Sequence, residues 1–445
     1  MTNIPLIRAY GDDAVFAYCN RRTIRVNRFL QDVLQLAALL PHRRYILNLC
    51  ADRYHFVVGF FAALLQQQIS LLPPNHTPDL IGQLRRRYSD VYCLTDVVNK
   101  IGSMQTMLYP TWFAPDHAVT SIPQIAAAQI AAIVFTSGST GQPVPNEKSW
   151  GSLVRSAAAE FDRLGIRAYP GMAVFGTVPP QHMYGLESTV LMAMQGGLAL
   201  HAGRSFYPAE ILSELTTLPR PRCLVTTPIH LRALLAETTR LPQLDFLLCA
   251  TAPLAPQLAV IAEKRFGAPL YEIYGCTEAG QVATRRTVES EEWCTFPDIV
   301  LRQDKHGTWV NGGHVKTEVL LHDVIELRSH TRFTLHGRTA DLVNIAGKRI
   351  SLASLNYHLN SISGVRDGIF VMPEQEDESV TRLTAFVVAP GLTSDAVMNA
   401  LRKRIAPVFL PRPLFLVESL PRNNAGKLPR QALYQLSTEL TTKAG

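Results

Sequence analysis

Ile130-Ala-Ala-Ile-Val-Phe-Thr-Ser-Gly-Ser-Thr-Gly-Gln-Pro143 joins an apolar run to a loop of two glycines and four hydroxyl residues in seven positions. Ile130–Phe135 reads as a buried strand. The loop after it offers backbone N–H groups and hydroxyls that can wrap a polyphosphate. No Gly-Lys-Ser/Thr follows, so it is not a Walker loop. Taken alone, it reads equally well as a surface turn. Other short apolar runs repeat the strand pattern: 44–49, Ala173–Val178, Cys223–Thr227, Phe246–Cys249 and Leu270–Tyr274. Amphipathic or apolar stretches lie between them, at 27–40, 54–68 and Pro256–Phe266. Strands alternating with helices predict an α/β chain with parallel pairing.

The chain has 445 residues, too many for one small core. Its 47% hydrophobic and 18% charged residues make a globular balance. The apolar stretch Phe56–Leu65 is half a membrane span, and the N-terminus lacks the apolar core of a secretory signal. Seven cysteines without a CxxC pair suit free thiols in the cytoplasm and argue against zinc. A net charge of +7 suits an acidic or phosphate-bearing partner. Arg85-Arg86-Arg87 reads as the solvated face of a helix, and no nucleic-acid-binding motif is present. The texture changes near residue 337. The sequence predicts a large N-terminal domain over 1–337, a hinge at 338–341 and a small mobile α+β C-terminal domain over 342–445.

Three more segments carry chemistry. Tyr271-Glu-Ile-Tyr-Gly-Cys-Thr-Glu278 offers a flat ring at Tyr274 and room for close approach at Gly275. Its Thr277 hydroxyl and Glu278 carboxylate suit a phosphate-bound Mg²⁺. The alternative is a strand end with a helix cap at Thr277. His336-Gly-Arg-Thr-Ala-Asp341 runs on into Ile345-Ala-Gly-Lys-Arg-Ile350. Leu420-Pro-Arg-Asn-Asn-Ala-Gly-Lys-Leu-Pro-Arg430 places one lysine in a polar loop near the end.

In this order the four segments resemble the adenylate-forming superfamily of acyl-CoA synthetases, nonribosomal adenylation domains and luciferases, from about Ile130 to Arg430. Pro179-Pro-Gln-His-Met-Tyr-Gly185 is similar to its substrate-gate segment, and Cys249-Ala-Thr-Ala-Pro-Leu254 to its nucleotide-lining turn. Asp323 and Arg338 keep the family's fifteen-residue spacing between ribose-binding acid and hinge arginine.

The resemblance implies an enzyme that activates a carboxylic acid with ATP, releasing pyrophosphate, then passes the acyl group to a thiol. It implies that Thr136, Ser137, Gly138, Ser139, Thr140 and Gly141 cradle phosphates. Ala252 and Tyr274 would line adenine, with Glu272 accepting its amino protons. Asp323 would take the ribose hydroxyls, Glu278 would hold Mg²⁺, and Lys427 would be the main cation. His182 would gate an acyl pocket that includes Tyr184 and Gly275. Four departures stand out. Val144 replaces the lysine usual after the loop proline, with Lys148 four residues on; Ala340 replaces the usual hinge acid; Ser351 replaces a later acid; and the stretch before the phosphate loop is short. In its compactness the chain is similar to ligases that load aryl or fatty acids onto acyl carrier proteins for aryl polyene-like pigments. The basic Arg402-Lys403-Arg404 fits an acidic carrier protein, and CoA is the alternative acceptor. A plain acyl-CoA or aryl-CoA ligase and a non-catalytic nucleotide-binding module are the other readings.

Overall fold

The computed structural model describes residues 2–440 except 9–10, 12, 20–21, 75, 99–103, 112–118, 120, 138–142, 204–206, 339–341, 346–347, 373–382, 423–427, 430–431, 434 and 437–438. Its architecture follows from strands that are apolar on both faces. In the strand Ile130–Ser137, Ala132 and Val134 face one core while Ile133 and Phe135 face another. In Arg222–Thr226, Cys223 and Val225 face the first core and Leu224 a third. A strand covered on both sides needs a continuous apolar run, which is the pattern in the sequence.

Five layers result. The helix Pro78–Arg87 covers the outer face of a six-stranded sheet through Leu80 and Leu84, leaving Arg85, Arg86 and Arg87 exposed. That sheet runs in the order 143–149, 130–137, 69–72, 45–48, 91–95, 106–108. A middle layer holds the helices Val26–Leu39, Arg53–Leu65 and Trp150–Arg163, and the segment Leu186–Gly196. Arg53–Leu65 is apolar all round because it is buried all round. It stops at Leu65 rather than 68, and Ile69–Leu72 becomes a strand that the sequence reading missed. Next comes an eleven-stranded sheet, and on its far face the helices Pro208–Thr217, Pro228–Ala236 and Pro256–Phe266.

Within the larger sheet, the strands Ala199–His201, Ala173–Gly176, Arg222–Thr226, Phe246–Cys249 and Leu270–Cys276 are parallel neighbours in that order. Gly280–Arg285, Trp293–Thr295, Arg332–Arg338 and Asp323–Ser329 extend it antiparallel. A separate core, drawn from Val343 to Phe409, is built on the sheet 367–371/384–388/414–416 with the helices Leu352–Asn360 and Ser394–Arg402. Ser351 starts the first of these helices. Its hydroxyl accepts from Ser354 N at 3.1 Å, a cap an acid could also supply, and donates to the His336 carbonyl at 2.6 Å, which an ionised acid could not. Of the expected hinge, residues 339–341 lie outside the described ones. Among the described residues, no helix is long and apolar enough to cross a membrane.

Candidate functional site

In a parallel sheet, ligands bind beyond the carboxyl ends of the strands. Here three of the singled-out segments leave parallel strands of the larger sheet at that end, two of them from adjacent strands and the third one strand further on. Pro179–Gly185 follows Ala173–Gly176, Ala250–Leu254 follows Phe246–Cys249, and Thr277–Glu278 follows Leu270–Cys276. The topology therefore lines up what the sequence separates by about a hundred residues.

Tyr274 and Asp323 meet directly: the Tyr274 hydroxyl donates to Asp323 Oδ2 at 2.7 Å. The Tyr274 ring is only 8% exposed and packs edgewise on Phe333, with centroids 5.6 Å apart, and against Trp293 at 5.8 Å. Asp323 is the direct cross-strand partner of Arg338 in an antiparallel pair, which gives their fifteen-residue spacing a structural cause. Past Tyr274 the strand turns back at once, with Gly275 opposite Gln281 and Cys276 opposite Gly280. A side chain at Gly275 would place its Cβ 2.3 Å from the Gly280 carbonyl oxygen, so only glycine fits there. Thr277 and Glu278 sit on this turn, Glu278 exposed. Cys276 Sγ accepts from Ala279 N at 3.5 Å, and burial pushes its thiol up to about 12.

Lys148 is bonded to the larger sheet. It is 8% exposed, and its Nζ donates to the Glu278 carbonyl oxygen at 2.8 Å, tying the six-stranded sheet to the turn of the larger sheet. Burial lowers its pKa, opposed by nearby Glu187, Cys276 and Glu278. Thr136 and Ser137 end the strand that leads to the loop, Thr136 opposite Val144. Gly138, Ser139, Thr140 and Gly141 lie outside the described residues, as does Lys427.

Glu272 is buried, with Oε2 accepting from Arg285 Nε at 2.6 Å and from the Thr287 hydroxyl. One oxygen of the carboxylate expected to read adenine is thus held by protein partners. Ala252 is exposed beside Thr251, a β-branched residue at φ 82°. A left-handed conformation is costly for such a residue and marks a constrained turn.

His182 opens a short helix, and Leu186 N donates to its carbonyl at 2.8 Å. Burial raises the pKa of Tyr184 well above the ordinary phenol value. A residue that sequence reading missed holds this segment in place. The Arg53 guanidinium is buried and donates to the carbonyls of Gly176 (2.8 Å) and Val178 (2.7 Å) and to the Thr189 hydroxyl (3.0 Å). Beneath the Glu278 turn lies a polar network, also missed. Gln281 Nε2 donates to Glu160 Oε2 at 3.0 Å and Ser188 Oγ at 2.9 Å, and Ser156 Oγ donates to Glu187 Oε1 at 2.7 Å. Burial pushes Glu160 up to about 8 and Glu187 up to about 7. Neither acid follows an apolar periodicity rule, so only the topology reveals them.

The donor set at the turn is a sparse one of oxygen atoms. Among the described residues, no group of three or more His, Cys, Asp or Glu could hold an ion. A hydroxyl and one exposed carboxylate fit Mg²⁺, which takes few protein oxygens and completes its shell with water and substrate phosphates.

The chain is similar to known proteins in sequence and in fold. The chain is 28% identical over 280 residues to 4-coumarate–CoA ligase of Rhodobacter capsulatus, covering 63% of this chain and 69% of that one. Its fold is similar to o-succinylbenzoate CoA synthetase of Bacillus subtilis in complex with its acyl-adenylate, with TM-score 0.82 and 18% identity over 97% of this chain and 98% of that one. The same synthetase with ATP and magnesium ion gives TM-score 0.80 at 19% identity, covering 95% and 97%. A family model for AMP-binding enzymes matches residues 10–300, well over half of the sequence, and with the strand-end site described above the chain belongs to the AMP-binding enzyme family.

Proposed function

We propose that the protein is an AMP-forming acid–thiol ligase. A carboxylate oxygen attacks the α-phosphorus of ATP, and the bond to the bridging oxygen breaks to release pyrophosphate. The sulfur of a phosphopantetheine thiol then attacks the acyl carbon, and AMP leaves. The observation that carries this reading is one hairpin with two ends of a nucleotide site: Tyr274 bonded to Asp323 on one side, Thr277 and Glu278 on the other. A ring beside a carboxylate suits a nucleoside, since a carboxylate accepts from two ribose hydroxyls. Ala252 and Glu272 complete the adenine side. Thr136, Ser137 and Gly138–Gly141 hold the β- and γ-phosphates.

The chemical difficulty is a weak nucleophile approaching an anionic phosphorus, so cations must meet charge where it develops. Glu278 and Thr277 hold Mg²⁺, which when bound neutralises phosphate charge. Lys427 brings a second cation. Arg338 and its neighbours form a hinge on which residues 342–445 carry that lysine. His182 flanks the acyl carboxylate and gates the pocket with Tyr184 and Gly275.

CoA as acceptor is supported by the relative named above. The exposed Arg402, Lys403 and Arg404 favour a second acceptor, an acidic acyl carrier protein bearing the same thiol. Seven free thiols support a cytoplasmic setting. The test is ATP–pyrophosphate exchange across a panel of aryl and fatty acids, followed by thioester formation with CoA and with holo-carrier protein. No exchange with any acid would refute the reading.

A further inference from the structure

We propose that Lys148 is a positioning residue for the metal–phosphate turn, fixing Thr277 and Glu278 from inside the protein through the Glu278 carbonyl. This rests on the ligase reading above. The missing loop lysine frames the problem. Val144 stands opposite Thr136 and is 49% exposed, so no cation enters the loop from that position. Lys148 lies four residues along the same strand, about 13 Å away at strand rise, farther than a lysine side chain spans. Its ammonium is instead engaged with the larger sheet, at the Glu278 carbonyl.

The ladder between the strands shifts register between Lys148 and Ser149. Such an irregularity re-aims side chains. Lys148 is directed into the protein, where its ammonium meets the Glu278 carbonyl at 2.8 Å. The neighbouring residues are anchored independently. The Ser149 hydroxyl caps the helix Trp150–Arg163, accepting from Ser152 N at 3.3 Å, and receives Lys316 Nζ at 3.0 Å. The strand end is therefore a fixed base. The turn it holds carries an exposed carboxylate and has no regular ladder of its own over residues 277–279.

Burying an ammonium is costly, and a lysine placed this way needs a compensating bond. A charged donor on a carbonyl supplies one that is stronger than a neutral pair. The arrangement preorganises the turn before any metal or phosphate arrives, and it leaves the ammonium next to Glu187 and Cys276 instead of in water. Lys148 acts on the phosphates through Glu278, not by touching them.

The proposal separates ligands that need the turn from one that does not. MgATP, ATP with EDTA, and AMP are titrated calorimetrically into the wild type, Lys148→Met and Lys148→Gln. Loss of a charged hydrogen bond predicts MgATP binding weakened about tenfold or more in Lys148→Met, with AMP within about twofold. In Lys148→Met/Glu278→Gln, the loss for MgATP should be no larger than in Glu278→Gln alone. Equal losses for AMP and MgATP would show a general collapse of the fold and overturn the proposal, as would unchanged MgATP affinity or additive losses in the double variant. If Lys148→Met does not fold, Lys148→Gln, which keeps a neutral donor, is read against the same outcomes. Wild-type protein that binds MgATP but exchanges pyrophosphate with no acid would sink the ligase reading and leave this binding comparison to decide Lys148 on its own.

Discussion

Glu160→Gln should make the protein less sensitive to alkaline pH. Glu160 is 0% exposed, and its Oε2 accepts from Gln281 Nε2. Ser188, Glu187 and Tyr184 surround the carboxyl. Burial raises its pKa from 4.5 to about 8. Between those two values the folded protein holds a proton that the unfolded chain has released. Raising the pH then favours the unfolded chain, and the stability present in acid drains away until the folded carboxyl itself ionises. From about pH 6 to about pH 9 the loss is roughly 2–3 kcal/mol. Glutamine copies the shape of the protonated acid and does not titrate. With an unfolding entropy near ~2.1 cal/mol/K per residue, the wild type should fall about 3 °C in melting temperature relative to the variant over that range. Differential scanning calorimetry of both proteins at several pH values gives the difference directly. Parallel melting curves from acid to alkali would refute the buried-proton argument, whatever the constant offset between the two proteins.

Other substitutions test other contacts. Tyr274→Phe keeps the ring but removes the bond to Asp323; KM for ATP should rise about tenfold with a smaller change in kcat, and an unchanged KM would detach the hydroxyl from nucleotide binding. Arg285→Met leaves Glu272 buried without its cation and should cost about 3–5 kcal/mol of stability, partly restored by adding Glu272→Gln; denaturant titration of the three variants reads the recovery. Lys427→Ala should cut ATP–pyrophosphate exchange by about a hundredfold or more while thioester formation from supplied acyl-adenylate largely survives. Equal loss of both half-reactions would take Lys427 out of its assigned place.

The layered α/β architecture could be read from the chain because strands covered on both faces must be apolar throughout, as Ile130–Phe135 and Phe246–Cys249 are. Ile69–Leu72 escaped notice because only Gln66-Gln67-Gln68 separate it from the apolar helix, and glutamines extend a helical reading where a glycine or proline would end it. Tyr274, Asp323, Thr277 and Glu278 are singled out by ordered motifs, and the sheet brings Tyr274 to Asp323 and turns back at Thr277 and Glu278. The supporting residues were not found. Arg53 looks like any arginine before an apolar helix, and Glu160 like any acid on an amphipathic one. Their burial depends on partners more than a hundred residues away, Thr189 for the first and Gln281 for the second. Lys148 drew attention for its nearness in sequence to the loop, yet its bond runs 130 residues downstream to Glu278.

The turn of the hairpin holds a thiol, Cys276, within the stretch that also carries Thr277 and Glu278. On the ligase reading, the reaction builds a mixed anhydride beside it, a species that any thiolate would capture. Sulfur is nucleophilic only after losing its proton. With its pKa pushed up to about 12, Cys276 stays a thiol at neutral pH. On that reading burial works as self-protection: the turn tolerates a cysteine without acylating itself, and the activated acid is left for a visiting thiol that can ionise.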